Sequence, residues 1–168
     1  SALKGQSIYR IGIATHSYVD TWAHQNFIGY YNEFNSMSGV LDQLTPNIGH
    51  ADAGHNPDWP SIVWKDKRLL DKNARIDNKE RFMESAGNLF TKYRFYVDKK
   101  CSAKALNADR MQLIKGLRSA IGEIDQSNSN KIVRIERYRE LSQKMLGYEI
   151  PEYDEYAWFE EAVNENVR

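Results

Sequence analysis

Two imidazoles and a carboxylate recur four residues apart in His16-Ser-Tyr-Val-Asp20-Thr-Trp-Ala-His24. On a helix of about 100° per residue, positions four and eight apart stay on one face, drifting about 40° per step. A metal-bound imidazole is neutral, and a nearby carboxylate either ligates the ion or accepts the ring's other N–H. His16 and Asp20 can therefore reach one ion. His24, roughly 6 Å further along the axis, either joins that ion or holds a second one with Asp20 bridging. The competing reading is a helical salt bridge between His16 and Asp20, with His24 merely packing.

A second cluster follows in Ile48-Gly-His-Ala-Asp-Ala-Gly-His-Asn-Pro-Asp58. Gly49 and Gly54 allow backbone conformations that aim loop side chains inward, and Pro57 and Pro60 stiffen the exit. His50 and Asp58 are preferred here over His55 and Asp52, which only proximity recommends. The competing reading has Asp58 capping a helix that starts at Pro60, with the histidines solvated. Together His16, Asp20, His24, His50 and Asp58 form a nitrogen and oxygen ligand set suited to Zn2+ or another divalent transition metal. Beyond His55 the chain contains no histidine, so chemistry is expected in the first third.

The elements that must position these residues read as helices nearly throughout. The first is expected over Ser7–Tyr31, buried because Ile11-Gly-Ile-Ala14 is apolar almost all round. Asn32–Asn56 reads as a long ordered connection, a kind of segment that often carries function. A short helix from Pro60 through Leu70 would have Pro60 in its first turn. Asp77-Asn-Lys-Glu80 has capping-box spacing and opens a helix through Val97, with Met83, Ala86, Leu89, Phe90, Tyr93 and Val97 at helical period. The next helix starts at Ser102 or Asn107 and carries an apolar stripe from Met111 to Ile124. Asp125–Asn130 is a polar break. Lys131–Leu146 is a charged amphipathic helix stopped at Gly147, and Pro151 opens a last acidic, aromatic helix over Glu152–Asn164. No segment shows sustained strand alternation. The expectation is all-α: a single-domain helical bundle with a long ordered loop after the first helix.

The 168 residues suffice for one domain with a real core. A formal net charge of zero gives no global field for nucleic acid or an anionic membrane. The single Cys101 provides no disulfide framework. No apolar run is long enough for a transmembrane segment. Ser1-Ala-Leu-Lys-Gly-Gln-Ser7 lacks a signal-peptide layout and an initiator Met, and reads as a processed or trimmed end; the compartment is left open. There is no phosphate-binding Gly-rich loop and no G-x-S-x-G elbow. Cys101 beside Lys99 and Lys100 reads as a bystander, and the basic run Lys131–Arg139 as a solvated helix face. Trp22, Trp59 and Trp64 are candidates for a pocket wall, with core packing the commoner use.

Gly12-Ile-Ala-Thr-His-Ser-Tyr-Val-Asp-Thr-Trp-Ala-His-Gln-Asn-Phe-Ile-Gly29, Gly49-His-Ala51 and Pro57-Asp-Trp-Pro60 resemble an uncharacterised bacterial family. Its pattern reads GIALHTYADTWAHQGFSG, then GHA, then PDxP, and the likeness covers roughly residues 8 to 90. More distantly, the helical H-x-x-x-D resembles the zinc-dependent phospholipase C and single-strand nuclease superfamily, all-α phosphodiesterases with several zinc ions. That resemblance implies His16 and Asp20 as direct ligands, Asp20 bridging, with His24 and His50 on a neighbouring ion and Asp58 as a further carboxylate. That superfamily also draws ligands from its N-terminus and from an early His and Asp, which this chain lacks before His16. The chain is therefore expected to correspond to the C-terminal part of a longer family member, with an N-terminal fragment or partner chain completing the fold.

The functional expectation is a metal-dependent hydrolase acting on a phosphodiester or related ester, with Asp20 or Asp58 as general base where not committed to the metal. The alternative is a non-catalytic helical interaction module in which the His/Asp cluster is structural. In a third reading the acidic, aromatic segment 151–161 serves as the binding surface of an effector or immunity-type module.

Overall fold

The computed structural model describes residues 8–37 and 47–152, with Leu3, Asp154 and Tyr156 besides. Its helices are α1 (Ile8–Ala23), α2 (Asp71–Ala74), α3 (Asn78–Val97), α4 (Ala103–Ile121) and α5 (Lys131–Leu146). Short 3-10 turns lie at Glu33–Asn35 and Ala51–Ala53. The two strands β1 (Val63–Lys65) and β2 (Arg75–Asp77) pair antiparallel, Trp64 opposite Ile76. The class is all-α as expected, with this one small sheet added among the described residues. No helix there is long and apolar enough to cross a membrane.

The longer helices pack in chain order, α3 against both α1 and α4, and α4 against α5. Ser102 caps α4, its Oγ accepting from the Ala105 N–H at 3.2 Å. Gly147 ends α5 in the left-handed conformation, at φ 65°, where a side chain would be strained. The basic face of α5 is only partly solvated, because Arg134 is turned inward and donates to Ser61 Oγ and Asn128 Oδ1. The helix expected over Glu152–Asn164 falls largely outside the described residues.

Four local expectations are corrected. First, α1 stops at Ala23 rather than Tyr31. Beyond it the Asn35 side chain accepts from Ile28 N–H (2.8 Å) and donates to the carbonyls of Ile28 (2.9 Å) and Tyr30 (3.0 Å), occupying the groups a helix would use. Second, α1 is not buried: Ala23 is its one buried residue, while Ile8 and Ile13 are 75% and 69% exposed. It meets α3 along one side, where Thr15 and Tyr93 share a hydroxyl–hydroxyl hydrogen bond. Third, Pro60–Leu70 is not a helix; the β-branched and aromatic run Ile62-Val-Trp64 leads into β1 (Val63–Lys65). Fourth, the capping box does not form. Asp77 ends β2 without a side-chain cap, and Glu80 instead holds the Arg118 guanidinium through both oxygens.

The apolar core sits beside the sheet. Ala53, Ile62, Trp64 and Ile76 are buried together, with Phe27, Met37, Trp59 and Leu69 packed on them. Fully buried polar residues lie around it. Asn78, 0% exposed, accepts from Trp64 Nε1 at 3.0 Å and donates to the carbonyls of Asn56 (2.6 Å) and Trp59 (2.8 Å). One side chain thus ties the start of α3 to β1 and to the loop that carries Asp58.

Candidate metal centre

Three side chains from separate segments converge at the edge of this core. His24 follows the last residue of α1, His50 leads into the 3-10 turn Ala51–Ala53, and Asp58 lies past Pro57, which is fully buried. One ligand atom from each of His24, His50 and Asp58 lies within 4.8 Å of the other two. No other group of three His, Cys, Asp or Glu side chains converges in this way among the described residues. His24 Nε2 is 2.9 Å from Asp58 Oδ1, and His50 Nε2 is 3.9 Å from the same oxygen. The two imidazoles stack with centroids 4.1 Å apart.

The donors fit a transition metal. Bonds of about 2.0–2.1 Å at a tetrahedral angle separate ligand atoms by about 3.3 Å, a value between the two measured contacts. His50 Nδ1 lies 3.1 Å from the Gly54 carbonyl oxygen. A proton on Nδ1 is donated there, which leaves the Nε2 lone pair facing the site. Gly54 adopts φ 56° to present that carbonyl, so the glycine is needed for its backbone conformation rather than for space. All three side chains are half-buried, between 24% and 35% exposed, leaving a side open to solvent.

The other nominated residues separate from this centre. His16 Nε2 and Asp20 Oδ2 form a pair of their own at 3.4 Å, His16 being 81% exposed. Their helical spacing holds, but the ladder does not continue to His24, which turns away past the end of α1 towards Asp58. His55, set aside in the sequence, stacks on Trp59 and places Nδ1 3.5 Å from Asp58 Oδ2, so it abuts the carboxylate from the solvent side. Both Asp52 oxygens are buried without a hydrogen-bond partner among the described residues. Of the tryptophans, Trp64 is core, and Trp59 borders the site through His55.

Supporting residues were not legible from motif spacing. Arg81 Nη1 donates to the Ala23 carbonyl at 3.0 Å, fixing the end of α1. Arg68 lies over the Phe27 ring, 3.9 Å from its centroid, and Phe27 meets His50 edge-on. Arg68 itself is gripped by the fully buried Asp66. The one available signal is the D-x-R spacing of Asp66 and Arg68, which becomes informative only once burial is known.

No curated protein and no solved structure matches the chain. Over residues 1–168 the sequence fits one family throughout, and the chain accordingly belongs to DUF6765, a family of unknown function.

Proposed function

We propose that this chain is a metal-dependent hydrolase of the phosphodiester or related ester class, with Zn2+ or another divalent transition metal held by His24, His50 and Asp58. The observation that carries the reading is the convergence of three ligand atoms within 4.8 Å from three separate segments. A structural zinc site takes four protein ligands, whereas a catalytic one takes three and keeps a position open. When bound, such an ion polarises the scissile group and brings a coordinated water to a pKa of about 7. The chain's own residues divide the remaining work. Asp58 offers Oδ1 to the ion, while its Oδ2 contact with His55 fixes the carboxylate's orientation. His55, 74% exposed, stands on the open side, where it can exchange a proton with substrate or solvent. The phosphodiester class rests on the superfamily resemblance alone, carried by His16 and Asp20, which lie outside the His24, His50 and Asp58 cluster.

A structural reading has one observation in its favour. The three ligands join the end of α1 to the 48–58 loop, so an ion would also staple that loop.

Elemental analysis of protein purified without chelator tests the proposal. Near-stoichiometric metal is expected in wild type and His16→Ala, and loss in His24→Ala, His50→Ala and Asp58→Ala. Wild type that remains metal-free after incubation with zinc overturns it. Zinc-loaded protein is expected to hydrolyse bis(p-nitrophenyl) phosphate, and His50→Ala to lose that activity. Stoichiometric metal with no turnover, combined with a large drop in melting temperature on chelation, selects the structural reading.

A further inference from the structure

Asp66 carries its carboxylate into the interior, 0% exposed, immediately after β1. Burial by itself would push this carboxyl up. The hydrogen bonds from Arg68 and the charges of Arg68 and Arg81 outweigh it and hold the group below its ordinary 3.8. Asp66 is therefore a fixed anion that grips one guanidinium, Arg68, and feels the charge of a second, Arg81.

Each guanidinium ends at a residue beside a different ligand of the metal centre. Arg68 grips Asp66 with Nε on Oδ1 (2.9 Å) and Nη2 on Oδ2 (2.7 Å), a bidentate geometry that fixes the plane of the guanidinium. That plane lies 3.9 Å from the Phe27 centroid, and the Phe27 ring in turn meets His50 edge-on at 6.2 Å. Arg81 reaches across from α3 to the carbonyl of Ala23, the residue before His24. Burial draws the Arg81 pKa down and the Asp66 charge pulls it back up, so Asp66 helps keep this second cation charged as well.

We propose that Asp66 is a positioning residue of the metal centre, setting His50 through Arg68 and Phe27, while Arg81 holds the Ala23 carbonyl beside His24. The inference rests on the metal-binding reading above. A buried ion pair is a weak source of stability compared with apolar packing of the same volume. Its value here is geometric: ligand rings must be held in direction as well as place, and groups that orient ligands commonly govern metal affinity 10–100-fold. The two histidines lie 26 residues apart in sequence, and Asp66 fixes the guanidinium that backs one of them.

The test is a Co2+ titration followed by the visible d–d absorption of the bound ion, with a thermal melt of each variant. Asp66→Asn is expected to weaken cobalt binding about 10-fold or more and to alter the band shape. Phe27→Leu, which leaves Asp66 in place, is expected to weaken binding less. Arg81→Met is expected to lose affinity that Arg81→Lys, still able to donate to the Ala23 carbonyl, largely retains. A purely structural role predicts lower melting temperatures with wild-type affinity and an unchanged spectrum in the folded protein, and that result overturns the inference. If Asp66→Asn does not fold, the Phe27 and Arg81 variants decide by the same criteria. Wild type that binds no cobalt brings down the metal reading itself, and this inference with it; wild-type binding with indifferent variants removes the inference alone.

Discussion

The corner that holds His24, His50 and Asp58 and the array of α3, α4 and α5 are stabilised by different means. In the array, backbone groups find partners within their own helices, and side chains mostly cover neighbouring helix faces. In the corner the described backbone between Gln25 and Leu70 is irregular, apart from two 3-10 turns and β1. Buried polar side chains there do what a hydrogen-bond ladder does elsewhere. Asn35 satisfies Ile28 and Tyr30, and its Nδ2 also reaches the Asn47 carbonyl at 3.1 Å. Asn78 ties Asn56 and Trp59 to Trp64, and Asp66 orders Arg68. A loop that must aim side chains at one point needs its backbone fixed, and each buried polar group left unmatched would be costly. Functional geometry thus depends on a few polar residues rather than on the amount of apolar surface covered.

Removing one of those knots is the strongest way to break the comparison. Asn78→Ala orphans the Trp64 indole N–H and two loop carbonyls and leaves a small cavity. A loss on the order of 3 kcal/mol is expected from the unmade hydrogen bonds, read from urea unfolding. Metal affinity should fall alongside it, because Asn56 and Trp59 flank the Asp58 loop. A loss under about 1 kcal/mol would show that the corner is held by its apolar contacts instead.

Acid gives a graded form of the same test. The Asp66 carboxyl is held below its ordinary value of 3.8, so its charge contributes stability that is fully present above that pH and is lost as pH falls through the lower folded value. The stability gap between wild type and Asp66→Asn, measured by denaturant melts across pH, should be flat near neutrality and shrink below that pH. A gap that persists unchanged through the acid range would mean that the charge of Asp66 is not what orders Arg68.

The contrast also explains what could be read from the amino-acid order. α3 and α4 were legible because Met83, Ala86, Leu89 and Phe90, and likewise Leu113, Ile114, Leu117 and Ile121, repeat at helical period; Ser102 and Gly147 mark ends by local chemistry. His24, His50 and Asp58 were nominated for their ligand types. The resemblance placed His24 and His50 on one ion with Asp58 beside them, the three that converge, whereas the helical ladder that would also bring His24 to the ion of His16 and Asp20 does not continue past Ala23. The end of α1 is imposed by Asn35, eleven residues beyond His24, and no local pattern announces it. β1 was missed because Ile62-Val-Trp64 is too short to distinguish a strand from one turn of helix. Asp66, Arg68 and Arg81 look like ordinary surface charges in sequence, since burial of an ion is decided by tertiary packing.

The smallest expected effect sharpens the division by leaving the corner untouched. Ser102 Oγ accepts from Ala105 N–H at the exposed start of α4, where one of the unpaired N–H groups of a helix N-terminus is otherwise left to water. Ser102→Ala should therefore cost about 1 kcal/mol, seen as a lower urea midpoint with an unchanged denaturant slope. Cobalt affinity and band shape should match wild type, because the lost bond fixes no residue between Gln25 and Asn78. If affinity instead fell in proportion to stability, the helical array and the ligand corner would have to open as one unit. The polar knots would then be part of a single cooperative network rather than the separate means by which this corner holds its geometry.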